Sequence, residues 1–118
     1  MSTIRNFEDL EIWKQSREVV NKVYSDFKAC NDFGFKDQIS RAGISIMNNI
    51  SEGFCRGNNA EFRQFLKYSK GSAGEVKSMY YIAEDLKYLT VSLASERRMQ
   101  IQHLMNSIGG FSKYLKSS

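Results

Sequence analysis

No proline occurs anywhere in the 118 residues. The strongest helix breaker is missing, which suits a chain built almost wholly of helix. Histidine occurs once, as His103, with no Glu or Asp at Glu-x-x-His spacing. Di-iron bundles need several such ligands inside one core, so no metal is expected, and His103 is assigned a surface or core-edge place. Cysteine occurs twice, as Cys30 and Cys55, outside any Cys-x-x-Cys pairing. Both are expected to stay reduced and to act as small buried side chains. No apolar run approaches the roughly 18 residues needed to cross a bilayer, so no membrane partner is expected. The opening, MSTIRNFEDLEIW, has acidic residues where an export signal would place a basic stretch and then an apolar one, and a cytosolic location is expected.

Catalytic signatures are also missing. There is no Gly-Lys-Ser/Thr following a strand, so no phosphate-cradling loop is expected. GSAG (71–74) lacks the G-x-S-x-G pattern and falls within a helical segment, so Ser72 has no strained turn to activate it. Arg41 with Glu52 is the one pairing that resembles a dyad, but an Arg beside a carboxylate lowers its pKa and leaves a poor proton donor near neutrality. No enzyme activity and no cofactor are expected.

The chain has 42% hydrophobic and 25% charged residues, the range of one ordinary folded domain spanning 1–118. The net charge of +4 and pI near 9.1 permit a nucleic-acid partner without requiring one. No segment sustains a two-residue alternation, whereas four segments repeat apolar residues at threes and fours. The first carries Phe7, Leu10, Trp13, Val20, Val23, Tyr24 and Phe27, with Trp13 as the expected core anchor. CNDFGF (30–35) breaks the pattern, and the second helix is expected from Lys36, burying Ile39, Gly43, Ile46, Ile50 and Phe54.

Gly57 then reads as a left-handed cap, and Asn58 with Glu61 as a capping box opening the third helix. That helix buries Phe62, Phe65, Ser69, Ser72, Val76, Met79, Ala83 and Leu86, and is expected to reach Leu89. TVSLAS (90–95) supplies a turn with Ser candidates for the cap of the last helix, which carries Ile101, Leu104, Ile108, Phe111 and Leu115. Gly109 and Gly110 fall inside it, each costing about 1 kcal/mol against Ala, as a hinge or a close helix contact. Four amphipathic helices with short links predict an all-α, antiparallel up-down four-helix bundle.

Two surface features have a functional slant. At 100° per residue Arg41, Ser45, Asn48, Glu52 and Arg56 share one polar arc of the second helix, with Ile44 near it and Asn49 at its edge, placed for a structural hydrogen bond. An apolar residue beside this arc favours a subunit contact made by Arg41, Ile44, Ser45, Asn48, Asn49 and Glu52. On the third helix Arg63, Lys67, Lys70 and Lys77 form a basic stripe, with Arg56 just before it, expected to oppose the apolar face and to meet nucleic acid.

QISRAGISIMNNISEGFCRGNNAEFRQFLKYSKGSAGEV (38–76) resembles the small four-helix-bundle proteins encoded in intervening sequences of bacterial large-subunit ribosomal RNA genes, also labelled S23 ribosomal proteins. Gln38, Arg41, Ala42, Ser45, Ile46, Asn49, Ile50, Glu52 and Gly53 match in register, as do Arg56, Glu61, Phe62, Phe65, Leu66, Gly71, Ser72 and Glu75. FEDLEIW (7–13) extends the likeness, which is weakest after about residue 90. Met47 replaces a common Pro, and the first connection lacks the usual Pro-x-x-Glu element, which bears on where the second helix begins. The resemblance implies a cytosolic, non-enzymatic bundle that assembles as a homopentamer. A more distant likeness, to the accessory variability protein of diversity-generating retroelements, implies RNA or DNA and a reverse transcriptase as candidate partners. The rival reading is a protein-binding assembly scaffold.

Overall fold

The computed structural model describes residues 4–118, so the start of the MSTIRNFEDLEIW reading, residues 1–3, lies outside the described residues. After a 3-10 turn at Phe7–Asp9 come four helices, α1 Glu11–Asp26, α2 Phe33–Cys55, α3 Asn59–Asp85 and α4 Val91–Lys116. No strand occurs among the described residues. Each helix packs on the next, and α1 closes against α4. The bundle measures 46 × 21 × 20 Å, its long axis set by the 27 residues of α3 at about 1.5 Å each.

The helix ends follow from local chemistry. Asp32 caps α2, accepting from Phe35 N at 3.2 Å, so this helix starts at Phe33, three residues before the expected Lys36. Gly57 has φ 85 and closes α2 as expected. Asn58 Oδ1 then accepts from Glu61 N at 2.8 Å, while the Glu61 carboxylate takes the Asn58 side-chain amide rather than its backbone N–H. α3 stops at Asp85, short of Leu89, because Lys87 adopts φ 61. Lys87 N returns to Glu84 O at 3.1 Å and Tyr88 N to Ala83 O at 2.9 Å, a Schellman closure with Lys in the position usual for Gly. The turn seats the Tyr88 ring against Phe35, centroids 5.3 Å apart. Thr90, not a serine, caps α4 by accepting from Leu93 N at 3.1 Å. α4 runs unbroken through Gly109 and Gly110.

The core has an aliphatic middle of Ile39, Ile46, Ile50, Leu66, Val76, Ile101, Leu104 and Ile108. Aromatic clusters close its ends, Phe27, Phe35, Tyr80 and Tyr88 at one and Phe54, Phe62 and Phe111 at the other. Two faces differ from the expected register. In α1 the buried line is Ile12, Ser16, Val19 and Val23; Trp13 is half-buried beside Phe7, and Tyr24 is exposed. In α3 Phe62, Ser69, Val76, Met79 and Ala83 are buried as expected, and Leu66, Ala73 and Tyr80 are buried with them because this helix is packed from two sides, by α2 and α4; Phe65 and Ser72 are only half-buried, and Leu86, past the end of the helix, is exposed. Neither cysteine is fully buried: Cys30, in the α1/α2 connection, is half-buried against the rim of the core, and Cys55, the last residue of α2, is exposed. His103 is exposed.

Candidate nucleic-acid interface

Arg63, Lys70 and Lys77 each follow a buried residue of α3, namely Phe62, Ser69 and Val76. At 100° per residue that places them beside the buried face on the α4 side, not opposite it. Arg63, Lys67 and Lys70 meet Gly109 and Ser112 of α4 in a groove of about 370 Å³, floored by Leu66 and Ile108. Among the described residues no carboxylate lines it.

Its electrostatics follow from the distribution of acids. After Glu96 the chain has no Asp or Glu, and between Glu61 and Glu84 only Glu75. Glu75 points to the other flank, where it accepts from Gln38 Nε2 of α2 at 3.4 Å. The groove cations are therefore uncompensated from both walls. Arg63 Nε is shielded from solvent and has no hydrogen-bond partner among the described residues.

Two predicted members of the stripe are placed differently. Lys77 stays on the α3/α4 seam, but its ammonium donates to Gln102 Oε1 at 2.6 Å and does not line the groove. Arg56 leaves the stripe altogether. It pairs with Glu52 at 3.1 Å, lies 3.9 Å from Glu61 and sits over the Phe65 ring at 4.8 Å, on the α2 flank. The chain reverses at Gly57, so the helical spacing that lines up Arg63 and Lys70 does not extend back to Arg56.

On α2, Arg41, Ile44, Ser45, Asn48, Asn49 and Glu52 line one shallow depression with Tyr24, Asp37 and Ser40. The Arg41/Glu52 pairing does not form: Arg41 Nε binds Asp37 at 2.8 Å, and Glu52 takes Arg56. Asn49 Nδ2 donates to Ser45 O at 2.8 Å and lies 3.0 Å from Ser45 Oγ, which in turn meets Ser72 Oγ of α3 at 2.8 Å. Ser45 therefore ties α2 to α3, with Asn49 bracing it from within α2, while Arg41, Ile44, Asn48 and Glu52 face outward. Gly53 lets the two helices close, since a Cβ there would lie 2.6 Å from Phe65 Cβ.

Sequence reasoning missed the α4 wall of the groove. Its signal was Gly109, a costly residue inside a helix with no turn to justify it. The interhelical cluster of Asp26, Tyr80 and Arg97 was also missed.

Residues 8–110 match the protein family described as 23S rRNA-intervening sequence protein. The chain belongs to that family. This intervening-sequence protein is also similar to a crystal structure described as a protein of unknown function from the S23 ribosomal protein family of Bacteroides thetaiotaomicron. The two share 20% identity over 86% of this chain and 98% of the other, with a TM-score of 0.79, a likeness of fold. No curated protein matches the sequence. The chain is a non-enzymatic four-helix-bundle protein of the S23-like family. Among the described residues no helix is long and apolar enough to cross a membrane, and no group of three His, Cys, Asp or Glu could hold a metal ion.

Proposed function

We propose that this intervening-sequence protein is a homo-oligomeric bundle that binds nucleic acid through its α3/α4 surface. The observation that carries the reading is the convergence of Arg63, Lys67 and Lys70 on one groove with no carboxylate in its lining. Each cation that neutralises a phosphate releases condensed counterions, which favours association and makes it steeply salt-dependent. Several copies in one assembly repeat the groove and raise avidity. Five copies is the number the family resemblance implies, and the outward part of the α2 depression is the surface proposed to join them. Two unpaired thiols suit a cytosolic setting.

The test is the salt dependence of binding to unrelated RNA and DNA sequences. Lys67→Glu with Lys70→Glu should weaken binding to all of them alike and flatten the slope of log affinity against log salt. The helix should tolerate both changes, since both side chains are exposed and Glu is a good helix former. Lys14→Glu with Lys22→Glu, on the exposed face of α1, should matter much less. A second reading, a scaffold that recognises protein, is favoured by Ile44, Tyr68 and Ile82, all exposed on the α2/α3 side. It takes over if wild type has no affinity for RNA or DNA at about 50 mM salt, or if both double variants behave alike.

A further inference from the structure

We infer that the α3/α4 groove seats the phosphodiester backbone of a single strand, edge-on, with the bases turned away from the protein. The inference rests on the nucleic-acid reading above and specifies the ligand of that same site. Three observations point to it. First, the groove is a furrow of about 370 Å³ in the seam between α3 and α4. A duplex is a rigid rod wider than that seam and would ride on its rims, whereas one flexible strand can enter it.

Second, the α4 wall is kept low. Gly109 sits in a continuous helix without positive φ, so backbone conformation does not require it. A Cβ there would stand 3.5 Å from Lys70 Nζ, within the space where the cation meets its ligand. Ser112 adds a hydroxyl on the same wall.

Third, no aromatic ring among the described residues lines the groove. Single-strand binders that engage bases do so by stacking them on aromatic side chains. Here the exposed Tyr68 and half-buried Phe65 meet edge to face, centroids 5.7 Å apart, and Phe65 carries Arg56 on the α2 flank. Contact is thus confined to phosphates, and sequence is not read.

The experiment uses the full chain with fluorescein-labelled oligo(U), oligo(A) and a duplex of equal length, titrated by anisotropy across a salt series. Three phosphate contacts to a single strand correspond to a log–log slope of about −2 per groove, at about 0.7 per contact. Oligo(U) and oligo(A) should bind alike, and the duplex more weakly. Gly109→Leu fills the seam without changing net charge, and should lower single-strand affinity by about tenfold or more and move the slope toward zero. Ser112→Leu repeats the block should the first variant lose helicity by circular dichroism. Wild-type affinity and slope in a folded seam-filled variant, or a duplex bound as tightly as the single strand, would overturn the inference while leaving surface binding of nucleic acid in place. Failure of wild type to bind any of the probes would overturn both.

Discussion

Tyr80 donates its hydroxyl to Asp26 Oδ2 at 2.8 Å, joining the last turn of α1 to α3 deep within the bundle. Arg97 of α4 completes the junction, with Nε at 2.7 Å from Oδ2 and Nη2 at 3.1 Å from Oδ1. One carboxylate thereby ties three helices. Burial, and then the Asp26 bond, push the Tyr80 phenol far above its ordinary range, so it remains a donor throughout.

The Asp26 side chain is only 5% exposed and that of Arg97 12%. Removing one member of a buried ion pair leaves an uncompensated charge, which costs about 3–5 kcal/mol. Arg97→Met should lower unfolding free energy in urea by that amount. Adding Asp26→Asn, which keeps an acceptor for Tyr80, should recover much of the loss. A single variant within about 1 kcal/mol of wild type would show that the pair is not holding the junction.

Asp32 links stability to pH. The Tyr88 hydroxyl first, and Phe35 N second, hold its carboxyl below the ordinary 3.8. Its contribution is therefore complete above the unfolded value and lost as pH falls through the lower folded one. The same bond raises Tyr88 to about 12 from 10.0, so on that side stability is complete below the unfolded value and lost as pH rises through 12. Asp32→Asn should flatten the acid limb of a melting-temperature profile, and Tyr88→Phe the alkaline limb. An unchanged acid limb in Asp32→Asn would remove this carboxylate from the account.

Gly53→Ala should destabilise by about 1–3 kcal/mol, although Ala is the better helix former. The new Cβ would stand 2.6 Å from Phe65 Cβ and 2.9 Å from Phe62 Cδ1, so α2 and α3 would have to separate. Chemical denaturation measures this, and a stabilised variant would show that α2 and α3 have room for the methyl group.

Light scattering tests assembly. The mass should lie well above one 13.6 kDa chain, with five copies favoured, and Ile44→Asp or Arg41→Glu should reduce it. A monomer at micromolar concentration would remove the proposed α2 contact. An intact oligomer in both variants would move it to another surface.

Periodicity made the four helices legible, and the α2/α3 corner with them because its caps are local: Asn58, Glu61 and Gly57 act within four residues of each other, whereas the Asp32 cap and the positive φ of Lys87 at the other corners were not read. The face of α1 was harder. Ser16 reads as polar, yet its Oγ donates to Ile12 O at 2.7 Å and the residue is wholly buried. A satisfied serine can thus occupy a core line that hydropathy alone assigns to Trp13 and Tyr24. The α3 stripe was legible as a run of charge, but the groove was not, since it depends on which α4 residue stands across from Lys70. Arg56 was legible as the end of the α2 polar arc, where it pairs with Glu52, but not as a member of the α3 stripe, because helical geometry ends at Gly57 while the charge pattern in the sequence continues.

The helices are unequally anchored. α3 packs extensively on both α2 and α4, whereas α1 rests mainly on α2 and meets α4 sparsely, fastened at its far end by Asp26. Spontaneous opening should therefore begin as a swing of α1 about that fastening, while α2, α3 and α4 remain zipped. Amide protons near Trp13 should exchange with solvent long before those near Leu66, and the groove between α3 and α4 belongs to the last part of the molecule to melt.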